Sequence, residues 1–302
     1  MKIFLSNVKR NTKLFFKDKG LFFTSLITPI ILLVLYSTFL SSVYSSSIEQ
    51  QLSGFGIKLE QKYLSAIVSG QLMSSLLAVS CVTVSFCSNM LMVQDKISGA
   101  HKDLLLTPVK RSNLALSYYV STTISTLIIC LAALCACLIY VASVGWFLSF
   151  ADVMLLLLDI FLLVTFGTAL SSVVNFFLSS QGQVSAVGSM ISSCYGFISG
   201  AYMPLSTFSS GLRSALMFLP GTYGTSLLRN HSINSAIDAL SSSLPQEAMP
   251  ALTSLKDAID CNLYFFGSKV EISAMYLVLG LSIVALITAY VLINKFCKNT
   301  KK

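Results

Sequence analysis

One acidic residue, Asp159, lies inside a long apolar run of the sequence and is the first candidate for chemistry. A carboxylate at such a position binds an ion or a substrate, or it pairs with a buried cation. Arg213 and Arg229 are the cations expected to fold back toward it. The sequence therefore leaves two roles open for Asp159, a pathway residue or one half of a buried pair.

The two histidines and the eight cysteines do not form the pattern of a metal centre or a nucleophile. His101 and His231 are expected on opposite sides of a membrane, which excludes a shared metal ion and predicts a surface role for each. Most cysteines lie within apolar runs as small core residues. No G-x-x-x-x-G-K-[ST] loop occurs, so the chain is not expected to bind nucleotide phosphates or to act as an ATPase itself.

The composition indicates a polytopic membrane protein. Of the 302 residues, 55% are hydrophobic and only 11% are charged. The formal net charge of +8 is not accompanied by a base-reading or aromatic-basic motif, so no nucleic-acid partner is expected.

A single all-α domain over residues 1–302 is predicted, with six transmembrane helices of about 20 residues or more. The predicted spans are 21–43, 64–93, 116–142, 153–178, 185–203 and 272–293. Residues 1–20 precede them as a basic amphipathic helix, with Lys9, Lys13 and Lys17 on one face and an aromatic face opposite, expected to lie on the membrane surface and bind lipid.

The distribution of positive charge predicts the orientation. Of the 20 Lys and Arg residues, 14 lie in the N-terminal segment, in the loop at 94–113 or at the C-terminus. Positive residues favour the cytoplasmic side, so both termini and this loop are expected there.

The loop at 94–113 carries the most specific pattern in the chain. Ser98 can cap a short helix at Ala100–Leu106, and Pro108 prevents its continuation past Thr107. Three adjacent leucines at 104–106 would face water among charged neighbours. An exposed apolar group of this kind usually has a partner.

The segment at 204–271 does not form a simple exit from the membrane. Its first part is apolar but too short to span, which predicts re-entrant helices, and 230–269 is expected to form a two-helix cap outside. Gly196 and Gly200 are spaced for close helix packing, either between subunits or within the chain.

Three stretches resemble the membrane-spanning subunit of ABC-2 type exporters over almost the whole length. They are Phe15–Gly20 with Thr28-Pro29, similar to the interfacial connecting helix and first span; Gly99–Arg111, similar to the coupling helix; and Ser199-Gly200, Pro204, Leu219-Pro220, Thr222-Tyr223 and Arg229, similar to the end of the fifth span and the re-entrant helices.

This resemblance implies specific site residues. The residues implied in ATPase coupling are Gly99, Lys102, Asp103, Leu104, Leu105, Leu106, Thr107, Pro108 and Arg111. The residues implied in an extracellular gate are Ser199, Gly200, Pro204, Pro220, Tyr223 and Arg229.

The resemblance also implies the partners and the activity. Two copies of a separate ABC ATPase, which hold ATP and magnesium, would drive a pair of permeases in a bacterial plasma membrane. The chain itself would need no cofactor. It would export an amphipathic drug, lipid-linked molecule or peptide by alternating access.

Two other classes remain as alternatives. An ion-coupled secondary transporter is expected to carry several membrane carboxylates and inverted repeats, whereas Asp159 stands alone here. An intramembrane transferase or protease would need a convergent catalytic group, and the histidines are expected on opposite faces.

Overall fold

The computed structural model describes residues 2–53, 59–107, 109–244 and 249–296, and these form an all-helical chain with one small hairpin. The helices are α1 Lys2–Lys17, α2 Lys19–Leu35, α3 Ser41–Ser53, α4 Gln61–Ser88, α5 Met90–Ile97, α6 Ala100–Leu106, α7 Arg111–Val144, α8 Phe150–Phe176, α9 Gln181–Ile198, α10 Ser210–Leu216, α11 Pro220–Ser243, α12 Met249–Ala258 and α13 Ile272–Phe296. Strands β1 Tyr264–Phe265 and β2 Ser268–Lys269 pair antiparallel. The predicted all-α class is confirmed.

Five helical segments of the described chain are long and apolar enough to cross a membrane. They are Lys19–Ser53, Gln61–Ile97, Arg111–Val144, Phe150–Phe176 and Ile272–Phe296. The other predicted span, 185–203, corresponds to α9, which does not meet this criterion and ends at Ile198 rather than at Pro204. The chain leaves the helix early because Gly200 has φ +75° and because the Ala201 and Tyr202 amides donate back to the Gly196 carbonyl.

The first span is longer than predicted and contains one wide turn. Between α2 and α3, residues Tyr36–Leu40 form a π-helix, in which the Ser41 amide donates to the Tyr36 carbonyl five residues earlier. Pro29 lies inside α2 without ending it. The helical run therefore continues ten residues past the predicted end at residue 43.

Helix α4 is the centre of the bundle. Nearly all of its residues are buried, and α2, α7, α8, α9 and α11 pack around it. Close packing with α11 is possible because residue 70 is glycine, since a Cβ there would lie 2.6 Å from the Ser232 carbonyl oxygen. At Gly167 of α8, a Cβ would lie 3.1 Å from the Cys81 carbonyl oxygen of α4. Small residues thus bring backbones together around α4.

Helix α11 differs from the predicted division into a re-entrant segment and an outer cap. It runs without a break from Pro220 to Ser243, and most of its residues are buried against α4, α8 and α13. The apolar spacing of Ile233, Ile237 and Leu240, interpreted as a separate cap helix, continues the buried face of this one helix. The predicted break at Pro245 lies outside the described residues.

Helix α1 packs against α7 at one end of the bundle. Val8, Asn11 and Phe15 are buried there, while Lys9, Lys13 and Lys17 are exposed. This end, where α1, α5 and α6 meet, is called the α6 end below. The opposite end, which carries α10, α12 and the hairpin, is called the α12 end.

Candidate functional site

The short helix α6 has the bounds that the sequence predicts, Ala100–Leu106. Its N-cap is Gly99 rather than Ser98, and Gly99 has φ +87°, a conformation in which side chains are strained. The Ser98 hydroxyl instead donates to the Asp95 carbonyl, 3.4 Å away. Pro108 lies outside the described residues. A glycine at residue 99 thus lets the chain turn sharply from α5 into α6.

The three leucines of α6 do not behave alike. Leu104 and Leu105 are half-buried and pack against a cluster that includes Met92, Leu114 and Tyr118. Leu106 is 87% exposed. The apolar surface that α6 offers is therefore centred on Leu106 and not on all three leucines.

Other implied coupling residues are also open to solvent. The side chains of Lys102, Asp103, Thr107 and Arg111 are exposed, so charge surrounds Leu106. His101 is half-buried behind them, where burial lowers the pKa of its imidazole and the nearby Lys96 lowers it further. Its ring centroid lies 6.1 Å from that of Tyr118, so His101 is not on the free surface predicted from sequence.

An ion pair fixes the helix that leads into α6. Arg10 of α1 donates from Nη1 to Asp95 Oδ2 at 2.8 Å and from Nη2 to Asp95 Oδ1 at 3.3 Å. Tyr118 of α7 donates its hydroxyl to the same Asp95 Oδ2 at 2.5 Å. This bidentate arrangement raises the pKa of the Arg10 guanidinium through its bond to Asp95. Three helices thus meet at one carboxylate.

The adjacent Lys96 ties α5 to the end of α8. Its Nζ donates to the carbonyls of Asn175 at 3.1 Å and Phe176 at 2.8 Å, where the last carbonyls of a helix lack backbone partners. Sequence reasoning missed both Asp95 and Lys96 as positioning residues. The signal available was two charged residues at the end of an apolar run.

Asp159 pairs with neither Arg213 nor Arg229, the partners expected from sequence. His231 Nδ1 of α11 lies 2.6 Å from Asp159 Oδ2, and the Tyr276 hydroxyl of α13 donates to Oδ1 at 2.7 Å. His231 is buried, so the predicted surface role for it is wrong. Both carboxylate oxygens of Asp159 therefore have a hydrogen-bond partner, and the group connects α8, α11 and α13.

Arg229 is buried in a second polar cluster. Its side chain is 1% exposed, and Nη1 lies 3.4 Å from Asp260 Oδ2 while Nη2 donates to the Gly200 carbonyl at 2.9 Å. Asp260 also accepts the Leu205 amide at 2.6 Å. Burial raises the pKa of the Asp260 carboxyl, and Arg229 and the Leu205 amide oppose this effect.

The remaining residues of the implied gate lie in the same region. Pro220 occupies the first turn of α11, where its missing amide has no cost, and the Tyr223 hydroxyl donates to the Met217 carbonyl at 2.6 Å. Ser199 is buried, and Pro204 precedes the single turn at Leu205–Thr207. All six implied gate residues thus belong to the segment between α9 and α11 or to α11 itself.

Gly196 and Gly200 serve packing within the chain. A Cβ on Gly196 would collide with the ring of Tyr202, and one on Gly200 would lie 3.0 Å from Leu205 Cγ. Of the two uses open for this spacing, the structure shows close contacts inside one subunit.

Contacts between α8 and α11 show how far along α8 the N-terminus of α11 lies. From the start of α8 toward its middle, Asp152 contacts Ser235, Asp159 contacts His231, and Leu163 lies against Gly224. The 11 residues from Asp152 to Leu163 span about 16 Å at 1.5 Å per residue. The N-terminus of α11 therefore lies level with the middle of α8, where Tyr195 near the end of α9 packs on Gly221.

One exposed stripe of α9 carries hydroxyl groups, although Met190 and Phe197 of the same helix are also exposed. Ser185, Ser189 and Ser193 recur every four residues and form this stripe. Among the described residues, no group of three His, Cys, Asp or Glu side chains is arranged to hold a metal ion.

Comparison with known proteins gives one result that covers most of the chain. A family model described as ABC-2 type transporter matches residues 3–231. No curated protein and no solved structure was found to match. The match includes the α6 loop, the α9 face and the first half of α11. With these helices in place, the chain belongs to the ABC-2 type transporter family and is a membrane permease component of an ABC transporter.

Proposed function

We propose that this permease is the transmembrane half-unit of an exporter that a separate ABC ATPase drives through α6. The observation that carries this proposal is Leu106, an exposed leucine on a short helix with charged neighbours Lys102 and Asp103. Burying a leucine side chain stabilises a complex by about 1.5–3 kcal/mol before association costs. The partner is an ABC ATPase, which the family implies and which holds ATP and magnesium.

The attachment of α6 supports its use in transmitting force. Asp95 at the end of α5 is bound by Arg10 of α1 and Tyr118 of α7, and Lys96 is bound to the end of α8. A push on α6 would therefore reach three helices of the bundle at once. Such rigid-body motion of helices is a common route for coupling nucleotide state to transport.

The polar face of α9 supports a pathway or a second permease on that side. The Ser189 hydroxyl donates to the Ser185 carbonyl at 2.9 Å, and small hydroxyl side chains of this kind allow a close helix contact or bind water in a cavity. We infer that two copies of this chain face each other across α9, so that the face lines a shared cavity. We propose that the two chains are identical, because symmetric homodimers are the commonest such assembly.

The position of α11 supports an outer gate. Its N-terminus lies level with the middle of α8, so α10 and the start of α11 would enter the bilayer and return to the same side. The distribution of positive residues favours an orientation with the α6 end in the cytoplasm and the α12 end outside, and we propose a bacterial plasma membrane as the location. An amphipathic drug, a lipid-linked molecule or a peptide would leave beneath this re-entrant segment.

The proposal is tested by tagging the full chain in its native host and purifying it from the membrane. Leu106→Asp is expected to insert normally but to lose the ABC ATPase that accompanies the unmutated chain, because a charge in an apolar socket lacks a partner. Phe266→Asp, a change at a hairpin residue that is 76% exposed, is the control and should retain the ATPase. Retention of the ATPase by Leu106→Asp would remove the coupling role from α6.

A further inference from the structure

A cavity of 410 Å³ opens at the α12 end of the bundle. Its walls are formed by α10, α12 and the residues that lead into and out of them, including Arg213, Met217, Asp257, Asp260, Leu263 and Tyr264. The family match ends at residue 231, so the wall from α12 and β1 lies outside the matched range. This volume falls within the usual range for small-molecule pockets.

Asp257 presents an oriented carboxylate to the cavity. Asn262 Nδ2 donates to Asp257 Oδ1 at 2.7 Å, and the Tyr264 hydroxyl donates to the same oxygen at 3.1 Å. The other oxygen, Oδ2, has only a longer contact of 3.3 Å with Tyr264. Within the described chain no Lys or Arg forms an ion pair with Asp257. Oδ2 can therefore accept a hydrogen bond from a cationic ligand.

Arg213 supplies the opposite charge on the same cavity. It lies on α10, its side chain is exposed, and no acceptor for its guanidinium is found in the described ranges. Asp260 also lines the cavity, but Arg229 already matches its charge. The cavity thus offers one carboxylate and one guanidinium that have no ion-pair partner within the described chain.

The base of the cavity is apolar. Leu205, Met217 and Leu263 line it, and all three are buried. A ligand that fits would carry both charges on a body with some apolar surface. We propose that this cavity binds a zwitterion, with its ammonium group at Asp257 and its carboxylate or phosphate group at Arg213.

The inference rests on the proposed export function, because export would make the cavity part of the route by which the substrate leaves. Asp260 lines the cavity and accepts the Leu205 amide, and its partner Arg229 binds the Gly200 carbonyl just past the end of α9. The cavity therefore shares a wall with the segment that closes α9. A substrate leaving along α9 would meet Asp257 and Arg213 at the outer surface.

Two sources carry this chemistry, a peptide with free termini and a phosphatidylethanolamine headgroup. Binding is measured by calorimetry on the full-length permease purified in detergent, without the ATPase. The peptide arm uses the dipeptide Leu-Leu and its N-acetylated amide, and the lipid arm uses short-chain phosphatidylethanolamine and short-chain phosphatidylglycerol. Tighter binding of the zwitterion than of its matched analogue in one arm identifies the source.

The variants test the two contacts separately. Asp257→Asn and Arg213→Gln should each weaken zwitterion binding about tenfold, the usual effect of losing a hydrogen bond to a charged group. Lys269→Gln, at an exposed residue of β2 outside the cavity, is the control and should bind normally. Arg213 makes no contact in the described chain that folding would need, so its variant remains informative if Asp257→Asn unfolds.

Equal binding of zwitterions and their analogues, or unchanged binding by Arg213→Gln, would overturn the site. That result would leave the proposed function intact if Leu106→Asp still loses the ATPase. Conversely, zwitterion binding by the isolated permease would stand even if α6 proved to have no role in coupling.

Discussion

Two arginine–aspartate pairs join distant parts of this chain, and they differ in their access to water. At the α12 end, the side chains of Arg229 and Asp260 are 1% and 6% exposed. At the α6 end, the Arg10 side chain is 33% exposed although Asp95 is nearly buried. The more exposed Arg10–Asp95 pair has the closer contact, 2.8 Å against 3.4 Å for Arg229–Asp260.

The difference indicates different mechanical roles. A fully buried pair is costly to break, because each charge left behind lacks both water and a partner. A pair with one side in water can open at a modest cost, because solvent replaces the lost partner. We interpret Arg229–Asp260 as a fixed joint behind α9 and Arg10–Asp95 as a joint that can move with α6.

Breaking the buried pair should give the largest effect on stability. Arg229→Gln is expected to lower the free energy of unfolding by about 3–5 kcal/mol, since it leaves Asp260 charged and buried. Thermal unfolding in detergent measures this, with Arg213→Gln as the exposed control. A loss no greater than the control's would mean that water reaches Asp260.

Asp159 provides an intermediate case, because its two partners are a histidine and a tyrosine. Asp159→Asn should lower the free energy of unfolding by about 1–3 kcal/mol, since the amide cannot serve both His231 and Tyr276 as a charged acceptor. Transport per assembled complex should stay close to normal if the role is structural. Normal assembly with abolished transport would instead identify Asp159 as a pathway residue.

The exposed pair should give a smaller change in stability and a larger change in coupling. Arg10→Gln is expected to lower the free energy of unfolding by about 1 kcal/mol. Substrate-stimulated ATP hydrolysis by the reconstituted complex should fall, because Asp95 loses its tie to α1. Lys13→Gln, on the exposed face of the same helix, is the control. Equal stimulation in both variants would contradict a role for this joint in coupling.

The smallest differences are expected within α6. Leu104→Ala should lower the free energy of unfolding by about 1 kcal/mol, because this side chain packs against Leu114 and Tyr118. Leu106→Ala should leave it unchanged, because nothing in the described chain covers that side chain. Chemical denaturation of the isolated permease compares the two. Equal losses would show that Leu106 also packs within its own subunit.

The sequence predicted best those elements whose limits are local. Ser98 as the predicted N-cap and Pro108 as the predicted stop gave the bounds of α6, although Gly99 is the N-cap in the structure. Uncharged apolar runs predicted the long helices. The observed ends differ from the predicted ends where capping residues and turns determine them. Helix α9 is one example, because a glycine with positive φ and two amides turned back to Gly196 end it before its proline.

The partners of buried charges could not be predicted in this way. His231 lies 72 positions from Asp159, and Asp260 lies 31 positions from Arg229. The sequence offered Arg213 and Arg229 as partners of Asp159. Only the packing of α11 against α8 brings His231 to that carboxylate instead. Helix α11 itself was hard to identify, because its first two turns, Pro220–Ser226, consist largely of glycine, serine and threonine rather than large apolar residues.

The π-helical turn at Tyr36–Leu40 sets the rotational phase of the first span. A wide turn adds a residue without adding the usual 100° or so of rotation, so Tyr36 at its start and Ile48 and Leu52 after it all face the bundle. Tyr44 also returns to that side, where its hydroxyl donates to the Tyr202 carbonyl at 3.3 Å. The extra residue thus keeps the buried face of the helix pointing in one direction. One continuous helix can therefore contact α4 along its first half and the segment after α9 near its end.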